Sequence, residues 1–150
     1  MKRPPGESKL EDILRSSRLV AGGFMGSDTR SASEIIEADA SDLLRLGITA
    51  KQIAARMQEI TNIAKTALGN WVFVDGQRKA MVEEARGVLI CPWGHLRKCD
   101  KRVTVVIFVK SGETVRWSDL NIHLIAEHGF FEGKGSAYRL DPEKLVKIIF

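Results

Sequence analysis

The strongest constraint on the fold is a long amphipathic helix announced by its own cap. Thr49-Ala-Lys-Gln52 has the spacing of a capping box, and Ile53, Met57, Ile60, Ala64 and Ala67 then recur every three or four residues. Nothing breaks the phase of that stripe before Leu68 and Gly69, so the spacing predicts one helix ending there. A second capping box, Ser31-Ala-Ser-Glu34, opens a helix to about Leu46 with Ile36, Ala40, Leu43 and Leu44 as its apolar side. Gly47 and Ile48 leave only a short connection between the two helices, which predicts an αα-hairpin.

The C-terminal half changes period. Trp71 to Val74 reads as a strand, Asp75-Gly76 as a two-residue turn, and Gln77 to about Glu83 as the return strand, although the stretch through Arg86 contains good helix formers and stays open between strand and helix. Val88 to Cys91 reads as a short buried strand. Arg102 to Lys110 is the clearest strand, and its run from Val103 to Val109 suggests cover on both faces. Ser111-Gly112-Glu113 turns it back into Thr114 to Trp117. Ser118 caps a helix ending at Gly129, with Trp117 and Ile122 at hydrophobic-staple positions, and Asp141-Pro142 starts a last helix. A short helix over Ser8 to Arg18 precedes all of this, and residues 1–8, with Pro4, Pro5 and Gly6, are expected to be flexible. The fold class that results is α+β: a single domain over residues 1–150, with an N-terminal αα-hairpin packed on a small, mainly antiparallel sheet and two helices at the C-terminus.

Composition narrows the setting. Apolar residues at 44% and charged residues at 28% are ordinary for a globular chain. No apolar run reaches the roughly 20 residues that cross a bilayer, and charges interrupt any signal-like segment, so the expectation is a cytoplasmic protein without a membrane partner. Two cysteines in that setting are expected to be thiols or metal ligands rather than a disulfide. The net charge of +4 permits nucleic acid or another anion as partner without requiring it.

Candidate chemistry concentrates around Cys91-Pro-Trp-Gly-His95, followed by Cys99, His123 and His128. Thiolate and imidazole are the preferred ligands of zinc, and four of them close a tetrahedral structural site. A Cys-Pro turn, then a hairpin from Arg102 to Trp117, then a helix bearing two histidines resembles a treble-clef zinc finger over Cys91 to His128. The resemblance implies zinc as cofactor, with Cys91 and His123 as ligands and His95, Cys99 and His128 competing for the other places. The spacing departs from the family's. Its knuckle carries two cysteines separated by two residues, whereas His95 follows Cys91 after three and Cys99 after seven. His123 and His128 also stand about 140° apart around a helix. Structural roles compete with metal binding: Cys91 as a small buried hydrophobe, His128 as a charge at a helix C-terminus and His95 as a loop residue.

Other features point elsewhere. Leu46 to Met57 resembles the opening of a helix-turn-helix through Thr49, Gln52, Ile53 and Ala54, but Gln58 to Thr61 supplies no turn, and a continuous helix is expected. His95, Arg97, Lys98, Lys101 and Arg102 form a basic run near Trp93, a candidate surface for weak nucleic-acid binding. The glycine-rich segments Ala21 to Gly26 and Gly129 to Ser136, the second with Lys134, are candidate anion loops or plain surface loops. Neither matches a phosphate loop. Glu83 and Glu84 are adjacent and would face opposite sides of a strand. The leading expectation is a non-enzymatic binding module with a structural zinc. The alternatives are a small enzyme using Cys91 or Cys99 with a histidine, and a homodimer formed through the Thr49–Leu68 stripe.

Overall fold

The computed structural model describes residues 5–17, 19, 22–95 and 97–150. Their order is α1 (Pro5–Arg15), α2 (Ala32–Leu46), α3 (Ala50–Lys65), β1 (Val72–Asp75), β2 (Arg78–Ile90), β3 (Lys98–Phe108), β4 (Glu113–Ser118), α4 (Asp119–His128) and α5 (Pro142–Ile149). The four strands form one antiparallel sheet in sequence order, so the fold is α+β, with two helices after the sheet. Helix α1 begins at Pro5, inside the segment expected to be flexible; residues 1–4 of that segment lie outside the described residues.

Both capping boxes close as the sequence dictates. Ser31 and Thr49 accept from the amides of Glu34 and Gln52, and those side chains reach back to the cap amides. Helix α3 is continuous through Gln58 to Thr61, so the chain has no helix-turn-helix there. Its stripe is fully used inside the chain: Ile53, Met57, Ile60 and Ala64 are buried with Val82, Val106, Trp117 and Ile125, which removes the stripe as a dimer surface. Thr61 interrupts the apolar stripe for a reason. Its hydroxyl accepts from Trp117 Nε1 at 3.0 Å and shares a proton with Thr104 Oγ1 at 2.7 Å, docking α3 on β3 and β4. Ile60→Ala is expected to cost about 2–5 kcal/mol, and Thr49→Ala only about 0.5–2 kcal/mol. Urea denaturation of the two variants checks that ranking.

Helix α2 differs from expectation. Its buried positions are Ala32, Ile35, Asp39 and Leu43, whereas Ala40 is exposed and Leu44 is 83% exposed. Its main helical neighbour is α5. Asp39 is the position that sequence periodicity hides, because a carboxylate interrupts the apolar count. It is paired in a two-bond fork with Arg139, whose guanidinium donates at 2.6 and 2.9 Å.

The sheet carries the largest correction. The segment left open between strand and helix and the short strand from Val88 are one long strand, β2. The turn before it is Gly76-Gln77, one residue later than Asp75-Gly76, because Asp75 Oδ1 accepts the Gln77 amide while Asp75 pairs with Arg78. Between Glu84 and Val88 the register slips: Glu84 faces Arg102 but Val88 faces Asp100, so Ala85 to Gly87 bulge out, with Gly87 at φ +106°. Beyond the bulge β2 and β3 continue as a two-stranded ribbon. Val88 and Ile90 are exposed there, not buried. Cover of β3 on both faces does not hold either, since only Thr104, Val106 and the end residue Cys99 are buried and the alternate face is half-buried.

Helix α4 is buried from Leu120 to Ile125 because both cores pack on it. Ile122 and Ile125 pack with α3, while Leu120 and Leu124 join Leu14, Phe24, Cys91 and Phe130. The C-terminus of α5 is held by two arginines: Arg56 and Arg78 donate to the carbonyls of Ile149 and Ile148, satisfying groups that a helix end leaves open. Among the described residues no helix is long and apolar enough to cross a membrane.

Candidate metal centre

The ribbon positions the first half of the site. Cys91 follows the last residue of β2, and its amide donates to the Arg97 carbonyl at 3.1 Å, closing a knuckle between the two strands. Gly94, at φ +81°, takes the left-handed conformation that the turn requires and brings His95 back over Cys91. Helix α4 supplies the second half. Ser118 caps it, Gly129 ends it with φ +61°, and His123 and His128 lie in its middle and at its last residue.

Four side chains converge. Cys91 Sγ lies 3.1 Å from His95 Nε2 and 3.4 Å from His128 Nε2. His95 Nε2 lies 3.1 Å from His128 Nε2 and 3.3 Å from His123 Nε2. All four ligand atoms fall within 4.8 Å of one another. A tetrahedral ion with Zn–S of about 2.3 Å and Zn–N of about 2.0–2.1 Å requires ligand–ligand edges of roughly 3.3–3.6 Å. Four of the six edges, at 3.1–3.4 Å, come close to those dimensions. Both helical histidines use Nε2, the far ring nitrogen, and that reach spans the angular gap between positions five apart. Trp93 fixes one of them: its ring stacks on His128 at 4.2 Å between centroids and 11° between planes, while its edge contacts Phe130.

Burial shifts the titratable groups of the site. Burial pushes the Cys91 thiol up. Burial also lowers His123, helped by His95 and Arg97, and brings His128 down to about 4, helped by His123 and His95. The two helical rings are thus neutral at physiological pH, the state in which imidazole ligates a metal. The four residues could hold a metal ion.

Cys99 is not in the group. It is buried on β3 opposite Leu89, in the apolar cluster with Leu14 and Leu124, where burial raises its thiol pKa. Both cysteines are free thiols. The basic run is divided. Arg102 is taken up by Glu84 and Asp119 at 2.8 and 2.7 Å. Arg97 and Lys98 line an open cavity of about 500 Å3 beside His95 and His123, with Asp100, Asp119 and Glu127 in the same wall. Lys101 is exposed. The two glycine-rich loops pack on each other. A Cβ on Gly26 would stand 2.2 Å from the Ser136 nitrogen. The anion they enclose is Asp28, which takes the Lys134 amide at 3.1 Å and whose bond to Arg30 holds its carboxyl well below the usual carboxylate range. The Lys134 side chain is exposed.

Metal-free protein should lose stability on acidification through this site. A histidine in the unfolded chain takes its proton near 6.5, whereas His128 stays neutral to about 4. Between those values the unfolded state binds more protons, so this contribution is present above about pH 6.5 and lost as pH falls toward 4. Glu132 acts oppositely: burial raises its pKa to about 7, so its contribution is present below its ordinary 4.5 and lost as pH rises through 7. Denaturant titration of chelator-treated His128→Gln against the parent chain isolates the histidine, and the variant is expected to show the weaker loss toward acid.

Comparison with known proteins yields no matching family model, no matching curated protein and no matching solved structure.

Proposed function

We propose that the chain is a non-enzymatic binding module whose β2–β3 ribbon is pinned to α4 by a structural zinc ion on Cys91, His95, His123 and His128. The observation that carries this reading is the convergence of one sulfur and three Nε2 atoms within 4.8 Å of one another. The ribbon beyond the bulge is exposed and two-stranded, a form that is marginal in water without further support. One ion tying its tip to a helix buried in both cores supplies that support. Four protein ligands leave no open position, which favours a structural over a catalytic role. Two free thiols suit a reducing, cytosolic setting. The partner we assign is nucleic acid, held weakly through Arg97, Lys98 and Lys101 at the pinned tip, with affinity falling steeply as salt rises.

Cobalt substitution tests the metal reading. Co2+ added to chelator-treated protein should give the intense visible absorption of a tetrahedral thiolate site, and Cys91→Ser should lose the sulfur-to-metal band. A weak octahedral spectrum would contradict it. Filter binding at low salt tests the partner, and absence of retention for single-stranded and duplex nucleic acid would remove that assignment.

A further inference from the structure

A second cavity, separate from the metal group, combines apolar walls with a buried carboxyl. Its volume is about 330 Å3, at the small end of the range for ligand sites. Phe24, Leu89, Val103, Leu120 and Tyr138 supply apolar wall, and Glu132, Lys101 and Arg102 line it as well, with Arg102 held by Glu84 and Asp119. Glu132 is only 5% exposed and sits at φ +68°, a left-handed conformation that a side chain rarely adopts. The loop holds that conformation through the Arg139 guanidinium, which donates to the Glu132 carbonyl at 2.8 Å, and through the Gly133 amide, which donates to the Phe24 carbonyl at 2.8 Å.

The carboxyl is incompletely used. Asn121 Nδ2 donates to Oε2 at 2.7 Å and Ser136 Oγ to Oε1 at 3.1 Å. Two carboxylate oxygens offer about four lone-pair directions, so capacity for another donor remains. Arg139, the nearest basic group in the loop, spends its side-chain donors on Asp39 and on the Glu132 carbonyl. Among the described residues no cation forms an ion pair with Glu132. Ionising a buried carboxyl is costly, and the Arg139 charge offsets that cost only in part. Burial correspondingly raises its pKa to about 7.

We infer that this cavity is a binding site for a small primary amine with an aromatic or branched alkyl body, the ammonium donating to Glu132 and the body filling the space between Phe24, Leu120 and Tyr138. The inference is independent of zinc.

Benzylamine, titrated into the full chain at about pH 8 and followed by amide NMR, tests it, since the carboxyl is then largely ionised. Saturable shifts are expected at Leu120, Gly133 and Tyr138. Benzyl alcohol, which matches its shape without the charge, should bind about tenfold more weakly, as should Glu132→Gln toward benzylamine. Val103→Trp, which fills the cavity from the half-buried sheet face and keeps the carboxyl, should abolish the shifts, so the test does not depend on the fate of Glu132→Gln. Absence of saturable shifts in the parent chain, equal binding of the alcohol, or undiminished binding in Val103→Trp would overturn the assignment.

Discussion

Chelation is expected to destabilise the protein and to release the ribbon tip before anything else. An ion held at a thousand times its Kd stabilises the folded state by about 4 kcal/mol, and that contribution disappears with the metal. The loss should be local first. Amides from Val88 to Asp100 should exchange fast, whereas those of α3 keep their protection, because Ile53, Met57 and Ile60 bury against the sheet without help from the site. His95 should move most, being the exposed member of the group and carried only by the knuckle. Cys91→Ser should reproduce the effect, since a hydroxyl is a poor substitute for the thiolate.

Asp39→Ala is expected to cost about 3–5 kcal/mol, the range for removing one partner of a buried ion pair. Asp39 is 2% exposed, and its loss strands the Arg139 guanidinium between α2 and the loop that carries Glu132. The cost comes from the arginine left behind, so the double variant Asp39→Leu with Arg139→Met should recover most of the stability. A double variant no better than Asp39→Ala would show that the pair holds geometry rather than merely balancing charge. Guanidinium denaturation of the three chains measures it.

These two predictions rest on features of different legibility. Capped helices were readable because a cap, a staple and a terminal glycine lie within one stretch of chain, as at Ser118, Ile122 and Gly129, whereas α3 stops at Lys65 with Thr66 as its cap, short of the expected end at Gly69. Cys91, His95, His123 and His128 were all candidates, but Cys99 competed equally, because spacing along the chain does not reveal which ligands a bulge at Ala85 to Gly87 and a knuckle bring together. The full length of strand β2 was hidden. Its exposed residues, Glu83, Glu84 and Arg86 among them, lack the period-two alternation that marks a half-buried strand. Asp39 was missed because a charged residue on a core face looks like the end of that face until its partner, a hundred residues away, is known. Glu132 was missed for the same reason: its burial depends on Asn121 and Ser136, and neither neighbour signals a cavity.

Elemental analysis of protein purified without chelator or added metal decides whether Cys91, His95, His123 and His128 hold a metal ion. About one zinc per chain is expected, falling to background in Cys91→Ser and unchanged in Cys99→Ser. A folded chain without zinc, or full zinc retention in Cys91→Ser, would contradict it.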